Sequence, residues 1–231
     1  MRDVLVWRVD LNAGDEVRRW CWGLLAPDER ARAERYHAAR NCTRYVVARG
    51  ALRSILGEYL GASPARLEFR RNPFGKPSLV GRSSMLPDFS VSRADDVMVC
   101  AIAEGARIGV DIEPVARATD DRHELAYFSP FEREQLERLP PEQRLEAAAI
   151  CWTRKEAFIK ALGEGLSFPL DAFDVSVHPD PPRLVATRPD RGEAARWSLY
   201  DLAVAPASVG TVAVEGRGWT IKRLEWRAAR D

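Results

Sequence analysis

The sequence has no Cys-x-x-Cys pair and no Cys/His spacing of a zinc site, which excludes the common structural metal folds. Its four cysteines, Cys21, Cys42, Cys100 and Cys151, are scattered. Cys100 lies in the apolar run 97–103, where a buried free thiol is the plain expectation. Disulfides are not favoured, which suits a reducing cytoplasm. The three histidines, His37, His123 and His178, are far apart and form no pairing of base and nucleophile. No apolar stretch reaches the ~20 residues of a membrane span. The opening segment, Met1 to Trp7, lacks the long apolar core of a signal peptide. Charge of one sign is also missing: 35 Lys and Arg stand against 34 Asp and Glu, a net +1. That balance excludes a nucleic-acid binder driven by bulk charge.

What is present describes a water-soluble globular chain. At 231 residues, 46% hydrophobic and 30% charged, it can form one large domain or two small ones, each with its own core. Residues 5–9 read as a strand. A helical region is expected over 27–60, opened by Pro27-Asp28-Glu29 and closed by Gly61. A short strand is expected at 67–69, followed by a turn-rich loop, Asn72-Pro73-Phe74-Gly75-Lys76-Pro77. Two strands at 97–103 and 108–113 flank Glu104-Gly105-Ala106-Arg107 and suggest a hairpin. Loop and helix are expected over 120–139, a longer helix over 142–162, and strands at 209–214 and 219–224. The mixture is α+β, and no low-complexity linker divides it.

Two short segments carry chemistry. In Gly109-Val110-Asp111-Ile112-Glu113-Pro114, alternation on a strand sends Ile108, Val110 and Ile112 to the core and sets Asp111 and Glu113 on the other face. Two carboxylates that close repel unless a cation lies between them, and hard oxygen ligands suit magnesium. A surface strand with two solvated acids would give the same pattern. In Trp152-Thr153-Arg154-Lys155-Glu156-Ala157-Phe158-Ile159-Lys160, helical spacing places Trp152, Glu156 and Lys160 on one face. An exposed Glu-to-Lys pair on a helix would look identical.

Taken together and in this order, the two segments resemble the 4'-phosphopantetheinyl transferase superfamily. That family has a Gly-[Ile/Val]-Asp-[Ile/Val]-Glu strand followed by a Trp-x-x-Lys-Glu-x-x-x-Lys helix. The length is similar to that of the larger, surfactin-synthetase-activating (Sfp-type) branch. Further agreement comes from Gly75-Lys76-Pro77, from Phe89-Ser90-Val91-Ser92-Arg93, from the Arg-rich stretch 30–53, from Phe128-Ser129 with Glu132, and from Gly163-Glu164-Gly165-Leu166. Ser90 stands where the family has Asn, and Arg93 where it has a His that contacts the 3'-phosphate of coenzyme A.

The resemblance implies two similar α/β-sandwich halves forming a pseudo-dimer in a monomeric chain. The halves would be 1–104, binding coenzyme A, and 105–231, carrying metal and catalytic residues, with the active site in the cleft between them. It implies transfer of phosphopantetheine from coenzyme A to a serine of an acyl or peptidyl carrier protein, with release of 3',5'-ADP. Fatty-acid, polyketide and nonribosomal-peptide carriers all qualify. Asp111, Glu113 and Glu156 would hold magnesium. Glu156 would accept the serine proton, directly or through a water, and Lys160 would balance charge on the leaving phosphate. Arg32, Arg44, Arg71, Lys76, Arg93 and Lys155 would grip phosphates, and backbone near Pro77 and Ser92 would frame the adenine. Trp152 is expected to pack beneath its helix. Two rival readings are a catalytically silent coenzyme A-binding regulatory protein of this fold and an unrelated magnesium phosphohydrolase.

Overall fold

The computed structural model of the chain describes residues 2–81, 86–116, 127–188 and 190–228. The uninterrupted apolar run at 97–103 is explained at once, because its strand is covered on both faces. Met98, Cys100 and Ile102 face one core, while Val99, Ala101 and Ala103 face another. In chain order the strands are β1 (Arg2–Asp10), β2 (Phe69–Arg71), β3 (Pro77–Leu79), β4 (Asp88–Ala94), β5 (Val97–Ala103), β6 (Ile108–Pro114), β7 (Phe173–Val175), β8 (Leu184–Thr187), β9 (Trp197–Ala205), β10 (Ser208–Glu215) and β11 (Trp219–Glu225). The helices are α1 (Asp15–Leu24), α2 (Pro27–Glu34), α3 (Ala39–Leu60), α4 (Pro130–Arg138) and α5 (Pro141–Leu162).

The fold is α+β, with a sheet and a long helix in each half. One sheet has the order β11-β1-β5-β4, and the other has the order β6-β10-β9. Helix α3 contributes Val47, Ala51, Ile55 and others to the core of the first sheet. Helix α5 contributes Ala157, Phe158 and Ala161 to that of the second. A third core lies between the sheets, where Val4, Val99 and Ala101 meet Ile108, Val110, Ile112, Val212 and Val214. Ile108, Val110 and Ile112 are therefore inward, as their alternation predicts.

Three expectations change. The strands at 97–103 and 108–113 exist but do not form a hairpin. β5 pairs with β1 and β4, whereas β6 pairs with β10. Gly105, at φ +65°, turns the chain from one sheet to the other. The expected helix over 27–60 is two helices, α2 and α3. Glu29 of α2 is buried and ion-paired to Arg49 and Arg53 of α3, which holds α2 against its neighbour. A division at 105 also does not follow the sheets, since β11 runs parallel to β1 in the first sheet, Arg2 opposite Trp219. Of the loop and helix expected from 120, residues 120–126 lie outside the described residues, and the helix is α4.

The approach of α5 to β6 positions the site. A Cβ on Gly109 would lie 2.0 Å from the carbonyl oxygen of Ala157 and 2.4 Å from the amide nitrogen of Ala161. Both are backbone atoms of α5, so no side-chain rotation can relieve the clash. Gly109→Ala is expected to destabilise the protein by at least ~3 kcal/mol, the upper end of overpacking penalties. Gly23→Ala, where a Cβ meets nothing within 4 Å, is the neutral control. Urea denaturation of the two variants checks this.

Candidate active site

Because α5 rests on Gly109, Asp111, two positions along β6 on the same face, meets the same helix. Lys160 Nζ donates to Asp111 Oδ1 at 2.6 Å. Ser92 Oγ, from β4, donates to that oxygen at 2.9 Å and accepts from Lys160 Nζ at 3.1 Å. Asp111 is only 2% exposed, and its other oxygen, Oδ2, is buried with no hydrogen-bond partner. Glu113 and Glu156 are half-buried and line the same cleft. Burial raises the Glu156 pKa above the usual carboxylate range. Asp111 and Glu113 raise it further, against the opposing pull of Lys160.

The cleft holds about 1230 Å³ and is lined by α2, α3 and residues within 67–80 and 90–93 as well as by β6 and α5. The first half supplies cations: Arg32 stacks over Tyr45 at 5.5 Å, Arg71 Nη1 donates to the Gly75 carbonyl at 2.7 Å, and Arg93 is exposed at the rim. The second half supplies Asp111, Glu113 and Glu156, while Asp28, Glu29 and Glu68 of the first half are outnumbered there by its Arg and Lys side chains. The two halves meet along a seam between β4 and β6, each the edge of its own sheet. There side chains take the place of a backbone ladder. Asp88 Oδ2 accepts from the Ile108 amide at 3.0 Å and Ser90 Oγ from the Val110 amide at 3.1 Å, while Ser92 reaches Asp111. Ser90 thus satisfies an edge-strand donor of β6.

The donor set fits magnesium. Among the described residues no three potential ligands are already drawn together as a metal site. Magnesium needs no such cage, since it binds through one or two carboxylates with waters and phosphates completing the shell. The unpartnered Oδ2 of Asp111, in a cleft that Glu113 and Glu156 also line, is the atom such an ion would satisfy.

Residues 107–212 match the family described as "4'-phosphopantetheinyl transferase superfamily", and 17–105 match "4'-phosphopantetheinyl transferase, N-terminal". The "4'-phosphopantetheinyl transferase HetI" of Nostoc sp. (strain PCC 7120) is 36% identical over 225 residues, 95% of this chain and 91% of that protein. The chain belongs to the 4'-phosphopantetheinyl transferase superfamily. "4'-phosphopantetheinyl transferase Sfp" of Bacillus subtilis (strain 168) is 28% identical over 177 residues, 74% of this chain and 75% of that one. Among solved structures, the "Chronobacterium ammoniagenes ACPS-CoA complex" covers 50% of this chain and 100% of its own at 20% identity. Its TM-score of 0.37 is too low to bear on the site.

Within this transferase, Asp111, Glu113, Glu156, Lys160, Ser92, Arg93, Arg32, Arg71 and Pro77 all line the cleft. Three expected phosphate ligands stand differently. Arg44 does not line the cleft, and its Nε donates to Asp96 Oδ1 at 2.6 Å, beside Arg40 on the other oxygen. Lys76 reaches the cleft, yet its ammonium donates to Asp88 Oδ2 at 2.6 Å and to the carbonyls of Ile108 and Ala161 at 3.1 and 3.2 Å. A lysine has three N–H donors, so none is left for a phosphate in this arrangement.

Lys155 is fully buried on the opposite side of α5. Its Nζ donates to both oxygens of Glu132, at 2.7 and 2.8 Å, and to the Phe173 carbonyl at 3.0 Å. Successive helical positions diverge by about 100°, so Lys155 cannot share the face of Glu156. Glu132 also accepts from the Ser129 and Val175 amides, which ties α4, α5 and β7 together. Burial pushes its pKa up, against the pull of Lys155.

Trp152 packs against the core beneath α5, as expected, and also forms part of the cleft wall, with Tyr127 against it at 6.1 Å. Arg49 also lines the cleft and was missed. Arg53 lines it too, and both are paired with Glu29, a contact that no local pattern on α3 announces.

Lys155→Met would leave the Glu132 carboxyl buried without its counter-charge. The expected loss is about 3–5 kcal/mol of stability, with coenzyme A affinity of the folded variant unchanged. Urea denaturation and calorimetric titration measure the two quantities; a folded Lys155→Met that no longer binds coenzyme A would reinstate a phosphate contact.

Proposed function

We propose that this transferase moves the 4'-phosphopantetheine group of coenzyme A onto a serine of an acyl or peptidyl carrier protein, releasing 3',5'-ADP, with magnesium as cofactor. The observation that carries the reading is the convergence of Asp111, Glu113, Glu156 and Lys160 on a cleft whose opposite wall is cationic. A dianionic pyrophosphate bridge needs charge on both sides, and such phosphoryl transfer relies on positioning and charge neutralisation rather than covalent help. The free cysteines and the completion of the cleft within one chain favour a monomer acting in a reducing cytoplasm.

Each residue has a role that its surroundings support. Asp111, held through Oδ1 by Lys160 and Ser92, keeps Oδ2 available for the ion, with Glu113 and Glu156 as further ligands. When bound there, magnesium would neutralise the pyrophosphate oxygens and the charge that develops on the leaving group. Glu156, with its affinity for protons raised by burial, takes the proton from the carrier serine hydroxyl. Lys160 donates twice within the site and has a third N–H for the departing phosphate. Arg32, Arg71 and Arg93 hold the nucleotide phosphates. Pro77 and the backbone at Ser92, both in the cleft lining, frame the adenine. The unabsorbed excess of basic groups on the first half fits an anionic cosubstrate better than a hydrolytic site for a small phosphate ester.

The deciding experiment is the mass of an apo carrier protein incubated with the enzyme, coenzyme A and magnesium. The carrier should gain one phosphopantetheine only when all are present; an unmodified carrier would favour a silent binding protein. Asp111→Ala and Glu156→Gln should each lower turnover by about 10²–10³-fold, the scale of losing one preorganised charge-stabilising group. Both should bind coenzyme A. Glu156→Gln should leave apo stability equal or slightly higher, because it removes one of several crowded carboxylates, whereas Asp111→Ala also strips Lys160 and Ser92 of their partner and should lower it. Near-normal turnover by Glu156→Gln would remove it as the base, and by Asp111→Ala would remove the shared metal site. Arg93→Ala should raise the KM for coenzyme A about tenfold or more, the worth of a charge-assisted hydrogen bond. Dephospho-coenzyme A, lacking the 3'-phosphate, should be little affected; equal damage to both would show that Arg93 does not read that group.

A further inference from the structure

Lys76 lies in a loop that resembles a ligand-binding segment, yet all of its donors are turned inward. One goes to Asp88 at the start of β4, one to the carbonyl of Ile108 at the start of β6, and one to the carbonyl of Ala161 in the last turn of α5. The loop is built for this. Asn72 Oδ1 accepts from the amides of Phe74 and Lys76, the Asn72 amide donates to the Lys76 carbonyl, and Asn72 Nδ2 donates to the Gly163 carbonyl at 2.6 Å. Gly163 is in the left-handed region at φ +77°, and a Cβ there would meet Asn72 Nδ2 and Lys76 Cδ at 3.1 Å. Asp88 adds a second link to β6 through the Ile108 amide.

The elements gathered here are those that carry the acids. β6 holds Asp111 and Glu113, and α5 holds Glu156 and Lys160. The final carbonyls of a helix have no partner within it and form its negative end, where a cation is favoured. An ammonium supplied by the first half therefore serves as the C-terminal cap of the second half's principal helix. Every bond named above is direct, so a change at Lys76 acts on the end of α5 and the start of β6, and a change at Asn72 acts on the turn that ends α5.

We propose that Lys76, with Asn72 and Asp88, is a positioning clasp that sets the register of α5 on β6, and with it the spacing of Glu156 and Lys160 against Asp111, rather than a coenzyme A phosphate ligand. The clasp rests on the transferase reading and adds a kinetic signature to it. A phosphate ligand contributes binding shared by ground and transition states and shows in KM. A residue that holds the acids in place shows in kcat.

The test uses the full-length enzyme with an apo carrier, comparing wild type, Lys76→Met, Asp88→Asn, the double variant and Asn72→Ala. Turnover is expressed per folded molecule, well below each variant's thermal midpoint, with coenzyme A and with dephospho-coenzyme A. Lys76→Met should have a lower thermal midpoint and a kcat reduced about tenfold or more, with KM for both cosubstrates shifted less than about threefold. The double variant should be hardly slower than Lys76→Met alone, since both changes open the same contact. A KM that rises for coenzyme A alone with kcat intact would make Lys76 a 3'-phosphate ligand and overturn the proposal. A wild-type kcat per folded molecule would overturn it too, leaving a purely structural contact. If Lys76→Met does not fold, Asn72→Ala decides: its kcat should fall several-fold at constant KM, and an unchanged kcat refutes the clasp. Absence of transfer by the wild type would instead fail the transferase reading, and this inference with it.

Discussion

The approach of α5 to β6 at Gly109 is the contact on which the rest of the site depends. Two backbones meet there with no side chain between them, as the 2.0 Å separation of a hypothetical Cβ from the Ala157 carbonyl makes plain. Any larger residue would lift the helix from the strand. Only at this distance does Lys160 reach Asp111 at 2.6 Å and does Glu156 enter the field of two other carboxylates. The glycine at the head of the acidic strand is thus part of the chemistry, although it touches no substrate.

The junction of the halves is the second constraint. β4 and β6 each end a sheet, and an exposed strand edge normally invites pairing with another chain. Here the edges face each other and are joined by the side chains of Asp88, Ser90 and Ser92. A side chain is a longer bridge than a direct N–H to carbonyl bond, so the sheets are held together yet apart, and the cleft opens beside the seam. The same serine that closes the seam orients Asp111. Interdomain packing and site geometry are therefore set by shared atoms.

The helical motif at 152–160 divides its work between two faces. Trp152, Glu156 and Lys160 look into the cleft. Arg154 and Lys155 are fully buried and are paired, respectively, with Asp201 and with Glu132. Burying a charge without a partner is costly, and these partners make the buried cations tolerable while tying α5 to β9, α4 and β7. Basic residues of one motif thus have different fates, Lys160 facing the cleft while Arg154 and Lys155 brace the scaffold.

The sequence by itself determined the pair of acids on β6, the alternation that buries Ile108, Val110 and Ile112, and the helical face that carries Glu156 and Lys160. These follow from the periods of strand and helix, which are local properties of the backbone. It also determined that α5 ends at Gly163, since the left-handed turn there requires a glycine. Tertiary structure alone decided which strands pair. β5 and β6 are neighbours in sequence with a turn between them, yet they lie in different sheets, because both are needed at the intersheet core. It alone decided that β11 returns to β1, that Arg44 is drawn to Asp96, and that the ammonium groups of Lys155 and Lys76 are held by partners within the protein. The fate of a long cation depends on which carboxylates and carbonyls the fold brings within reach, and those partners lie far away along the chain, where no local pattern can announce them.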